Sequence, residues 1–167
     1  MTVERRDGTP PDPRSGVVAG YSGTPLFRKL GVRPGHQVVV VGAPESFPLD
    51  LLSAEGTARV DARGGLAEAA SPAEVVLAFC PDAATLAAVL GPATASTREP
   101  GGRCWIGWPK RASKIPTDLT EDVVRAAALG IGWVDVKVCA LDRLWSGLCL
   151  MRRTRSAPGT QQRRRGT

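Results

Sequence analysis

The residues best equipped for chemistry lie just past a short apolar run. In GGRCWIGWPKRASKIPTDLTE (101–121), the Gly101-Gly102 turn feeds a buried strand, Arg103–Trp108, that stops at Pro109-Lys110. A basic loop follows, and a helix opens at Asp118. In open α/β sheets, ligands bind outside the carboxyl ends of the strands. Trp108, Lys110, Thr117 and Asp118 are therefore expected at one site edge. Lys110, next to Arg111, would meet an anion, helped by the positive amino end of the helix. A solvated basic loop is the simpler role for both, and capping alone accounts for Thr117 and Asp118. Gly42, Pro44 and Glu45 follow another apolar run, and Asp82 a third, so the same topological argument brings them to the same edge. Glu45 would supply a base or a ligand contact, or merely stabilise the first turn of a helix. These eight residues form the candidate ligand-binding set, with no catalytic group assigned.

Other chemistries lack their parts. His36 is the only histidine and precedes the first strand, which puts it at the amino edge, away from any Ser-His-Asp arrangement. The cysteines at 80, 104, 139 and 149 have no C-x2-C spacing for zinc. Each sits in or beside an apolar strand, where a thiol acts as a small hydrophobe. They are expected to be reduced, in a cytoplasmic protein. Trp105 and Trp108 alternate to opposite faces of their strand, so they cannot build one stacking platform.

The elements that must hold these residues read as one α/β domain. Thr24-Pro25 starts a short helix with Leu26, Phe27 and Leu30 on its apolar face, stopped by Gly31. Val38–Val41 is continuously β-branched, as in a strand buried on both faces. A helical stretch is expected at about Glu45–Ser53, a short strand near Ala58–Ala62 and a helical turn at Ala67–Ala70. EVVLAFC (74–80) is a second buried strand, and Asp82 opens a helix through Leu86, Val89 and Leu90. The helix from about Leu119 to Leu129 has Asp118 and Glu121 as a capping-box-like pair. Trp133–Leu141 and Ser146–Arg152 form an antiparallel hairpin. The expected fold is a Rossmann-like three-layer α/β sandwich, its sheet mostly parallel and closed by that hairpin.

Charge is unevenly distributed. Six of the 22 basic residues follow Met151 with no acid among them, so residues 1–151 are balanced and the net charge of +6 belongs to the tail. Residues 1–20 and 153–167 are expected to be disordered, flanking a single domain over 21–152. The arginine tail would touch nucleic acid only weakly and with strong salt dependence. The opening residues lack the apolar core of a signal peptide, and no apolar run reaches the length of a membrane span.

The order of elements resembles the class I methyltransferases. LGVRPGHQVVVVGAP looks like their first strand and turn, EVVLAFC like the fourth strand, and EPGGRCWIGW like the Pro-Gly-Gly turn and fifth strand. LGIGWVDVKVCALDRLWSGLCLMRR resembles the closing hairpin. YSGTPL, GWPK, TDLTEDVVR, VDVKVCALD and WSGL together resemble a bacterial family known as a domain of unknown function. The first resemblance implies S-adenosylmethionine against the turn after strand one and an acid at the end of strand two, where Asp61 is the match. Three features depart from it. The turn has one glycine, and Pro44 lacks an N–H and crowds the approach. Asp61 lies on a short strand. Too few residues separate Gly42 from Glu74 for the usual elements, so at least one βα unit is missing. Weak or absent cofactor binding is therefore expected. The leading expectation is a non-catalytic, methyltransferase-like domain that binds a small anionic or nucleotide-like ligand, or a protein partner, at the carboxyl edge of its sheet. An S-adenosylmethionine-dependent methyltransferase with an atypical pocket, and a nucleic-acid accessory protein acting through the tail, are the alternatives.

Overall fold

The computed structural model describes residues 24–53, 58–63 and 72–154. The turn expected at 67–70 and nearly all of both expected disordered ends lie outside these residues. The elements in chain order are α1 (Leu26–Leu30), β1 (Gln37–Val41), a 3-10 turn (Leu49–Leu52), β2 (Arg59–Arg63) and β3 (Val75–Phe79). Then come α2 (Ala83–Ala95), β4 (Arg103–Pro109), a second 3-10 turn (Arg111–Ser113), α3 (Glu121–Leu129), β5 (Trp133–Ala140) and β6 (Trp145–Arg152). They build one six-stranded sheet in the order β2-β1-β3-β4-β6-β5. The first four strands in that order are parallel, and β6 and β5 close the sheet antiparallel. This is the expected α/β sandwich. Among the described residues, the connection from β2 to β3 holds no helix and no further sheet strand.

Alternation along the central strands fills two cores. Val39, Val41, Val76, Ala78, Cys104 and Ile106 face α2 and α3, meeting Leu86, Leu90, Val124 and Ala128. Val38, Val40, Val75, Leu77, Phe79 and Trp105 face α1 and the first 3-10 turn, meeting Leu26, Leu30 and Leu52. Burial on both faces is why these strands are continuously apolar rather than alternating. Gly107 and Gly147 stand opposite each other on β4 and β6, and a Cβ on either would fall within 3 Å of Leu141. The paired glycines make room for that fully buried leucine, which leads out of β5.

Local expectations fail in two places. The helix expected over Glu45–Ser53 shrinks to the 3-10 turn Leu49–Leu52, because Pro48 biases the residue before it away from helical geometry. The capping pair assigned to Asp118 and Glu121 is also wrong. Thr120 caps α3, accepting from the Val123 N–H at 3.2 Å, and Glu121 pairs with Arg125 one turn on. No helix of the described residues is long and apolar enough to cross a membrane.

All four cysteines are free thiols, and burial pushes Cys80, Cys104 and Cys149 up to about 12. Above about pH 9, unfolded thiols ionise while these three keep their protons, so the folded state binds more protons and loses stability as pH rises toward 12. The slope is at most about 4 kcal/mol per pH unit. Urea midpoints measured at increasing pH should hold to about pH 8.5 and then fall, and Cys104→Ala should make the fall shallower by about a third. A flat alkaline profile would contradict the buried-thiol assignment.

Candidate functional site

The carboxyl edge is assembled from the ends of β1, β3 and β4. β1 leaves the sheet through Gly42, whose φ of +69° is in the left-handed region. A Cβ there would lie 3.2 Å from the Phe79 carbonyl oxygen, so the glycine lets this turn sit close over the end of β3. Beyond it, the Phe47 N–H donates to the Pro44 carbonyl at 3.0 Å. The Phe47 ring packs edge-on against Phe79 at 4.9 Å, and Phe79 against Trp145 at 5.1 Å. This aromatic row fixes the loop carrying Pro44 and the exposed Glu45.

β3 delivers Cys80 and then α2. Asp82 caps that helix, accepting from the Thr85 N–H at 2.8 Å, and hydrogen bonds from the Thr85 side chain and backbone hold its carboxyl below the ordinary range. Asp118 reaches across from the loop before α3 to accept the Ala83 N–H at 2.8 Å. Two carboxylates thus occupy the first turn of α2, where the helix dipole favours negative charge. An incoming anion would meet committed donors and like charge.

Next to this cap lies a concavity of about 380 Å³ whose lining includes Trp108, Arg111, Thr117, Asp118, Leu119 and Glu121. Trp108 is buried beneath it, and the Thr117 hydroxyl accepts the Leu119 N–H at 3.0 Å. Of the expected residues, Trp108, Thr117 and Asp118 therefore share one concavity, and Asp82 adjoins it through α2. Gly42, Pro44 and Glu45 stand at the end of β1, which β3 separates from β4. Lys110 follows β4 as expected, but its neighbour Arg111 is the cation in the lining. The Lys110 backbone joins the hairpin tip, its N–H donating to the Leu144 carbonyl at 2.8 Å.

Asp61 sits in β2 beside Val39, two positions before the strand end. His36 is a turn residue at the other edge, its Nδ1 accepting the Arg33 N–H at 3.1 Å. Among the described residues, no three His, Cys, Asp or Glu side chains gather as metal ligands.

No family model and no curated protein matches the chain. Solved structures do. The ribosomal protein L11 methylase of Lactobacillus delbrueckii subsp. bulgaricus superposes with a TM-score of 0.54 at 13% identity, covering 77% of this chain and 76% of that one. Streptococcus pneumoniae Sp1610, a candidate tRNA (m1A22) methyltransferase, gives 0.50 at 15% identity over 83% and 72%. The fold is Rossmann-like and methyltransferase-like. At these identities the likeness concerns architecture, and the site must be read from its own residues.

That reading makes Asp118 a positioning group for α2. Asp118→Ala is expected to strip protection from the Ala83 amide in hydrogen exchange while leaving α3 amides unchanged. Thr120→Ala should instead loosen the start of α3, at a cost of about 1 kcal/mol. Loss confined to α3 in the Asp118 variant would contradict the assignment.

Proposed function

We propose that this chain is an S-adenosylmethionine-binding domain of the methyltransferase type, with the cofactor at the end of β1 and a methyl acceptor in the adjoining concavity. This was an alternative at the level of sequence, and the fold now favours it over the non-catalytic reading. The observation that carries it is the Gly42 turn, tight over Phe79 at the end of β1, where the resemblance to class I methyltransferases implies the cofactor. A side chain there would fill the cradle that the glycine leaves open. Beside the turn, the Glu45, Asp82 and Asp118 carboxylates would favour a cationic sulfonium, while Lys110, Arg111 and Lys114 lie farther along the same edge, after β4.

The residues present fit the cofactor in kind. Gly42, Pro44 and Glu45 would hold it from one side, and Cys80 to Asp82 from the other. Once bound, it would supply an electrophilic methyl group. The Asp82 and Asp118 carboxylates are held by α2 amides and so present fixed negative charge toward the site. Thr117 and Arg111 would offer an acceptor one hydroxyl and one cation in the lining that they share with Trp108. Asp61, before the end of β2, is a weaker match for the ribose-holding acid than the resemblance implies. The strings YSGTPL, GWPK and WSGL support placing the chain with the bacterial family that they resemble.

Isothermal titration with S-adenosylmethionine tests the reading. Saturable binding is expected in the micromolar to submillimolar range typical of enzyme ligands. Gly42→Ala should weaken it by at least about tenfold, because a Cβ both crowds Phe79 and strains the left-handed turn by roughly 1 kcal/mol. Pro44→Gly should tighten it if the proline ring narrows the approach. No binding at millimolar cofactor by a folded protein would return the chain to the non-catalytic reading.

A further inference from the structure

The opposite side of the molecule carries a feature that the proposed cofactor site does not use. A groove of about 440 Å³ opens between α1 and the β4-β6-β5 end of the sheet. Arg28, Lys29, Arg33, Arg103 and Lys137 line it, and no carboxylate does. These cations come from α1, the turn before β1, the start of β4 and the edge strand β5, so the fold alone brings them together. Among the described residues, none of the five has an ion-pair partner. The Lys137 ammonium donates to the Lys29 carbonyl at 3.0 Å, which holds it at the rim. Arg103 lies over Gly31 so closely that a Cβ there would fall 2.1 Å from its Nη1.

The groove runs on. A second concavity of about 290 Å³ shares Gly31, Arg33 and Arg103 with it and adds His36 and Arg98 along the amino edge. Its one carboxylate, Glu74, is already committed, accepting the Gln37 N–H at 2.7 Å and pairing with Arg98 at 3.0 Å. Burial alone would raise the Glu74 carboxyl. Those backbone bonds and Arg98 outweigh it and hold the group below the ordinary range. Uncompensated like charge costs the folded state self-repulsion unless a ligand relieves it.

We propose that this track binds the sugar-phosphate backbone of a single-stranded nucleic acid. A row of cations along a continuous groove matches a chain of phosphates better than a single anion. Trp105 in the floor is fully buried, so no base can stack on it, and recognition rests on phosphate charge without sequence readout. The proposal is independent of the cofactor reading and uses residues nearer the other edge of the sheet.

Fluorescence anisotropy with a short labelled single-stranded RNA tests it on the full chain. The background carries R155Q, R163Q, R164Q and R165Q, which removes the basic run of the tail. R33Q/R103Q/K137Q is expected to weaken RNA binding at least tenfold near 0.1 M salt and to flatten the salt slope by about two. Its melting temperature should hold or rise, because repulsion is relieved; R33Q/K137Q, which leaves Arg103 packed, should show a smaller loss in the same direction. K114Q/R143Q, two exposed cations at the other edge, should leave RNA binding unchanged. Unchanged affinity and slope in the triple variant would overturn the proposal. So would equal loss in K114Q/R143Q, RNA binding that vanishes with the tail arginines alone, or capture of anionic vesicles or pyrophosphate by a protein that ignores RNA.

Discussion

One buried hydrogen bond ties the first described helix to the rest of the molecule. The Trp105 indole N–H donates to the Leu30 carbonyl at 3.0 Å, joining the end of α1 to the middle of β4. A helix of five residues has no stability of its own in water. It persists because Leu26 and Leu30 are buried and because one of its orphan carbonyls finds this donor. Leaving that carbonyl unpaired inside the core would cost about 1–3 kcal/mol. The bond anchors an α1 end whose left-handed Gly31 cap is closed by its own backbone bonds, and with it Arg28, Lys29 and Arg33 beside Arg103.

Charge of both signs gathers where strands β1, β3 and β4 end: Lys110, Arg111 and Lys114 follow β4, and two carboxylates are spent on the amino terminus of α2. Around α1, five cations line a groove that holds no carboxylate. Neither arrangement is visible in the balanced charge of residues 1–151, because each depends on which strand end a residue occupies. A phosphate-bearing polymer would thus be drawn to the α1 groove rather than to the mixed carboxyl edge.

Much of the architecture was legible because local signals and tertiary demands agree. Val38–Val41 and Val75–Phe79 are apolar without alternation, and helices cover both of their faces. The sequence between Trp133 and Arg152 carries two strand patterns around a polar tip, where Asp142 accepts the Leu144 and Trp145 amides. The site was legible in part. Strand-end logic brought Trp108, Thr117 and Asp118 to one concavity, but spacing alone could not show that Asp118 serves the helix before its own. Its partner Ala83 is 35 residues away, while Thr120 stands one turn from Val123 and wins the local cap. The basic groove was not legible at all, since its five cations are scattered from residue 28 to residue 137.

The account turns on whether the carboxyl edge binds S-adenosylmethionine, as proposed. Amide chemical-shift mapping of the isotopically labelled full chain during titration with S-adenosylmethionine addresses that directly. The account requires shifts at Gly42, Glu45, Asp82 and Ala83, spreading to Thr117 and Asp118, with Gly31 and Arg103 unmoved. Shifts centred on Gly31 and Arg103, or a spectrum unchanged by millimolar cofactor, would contradict it.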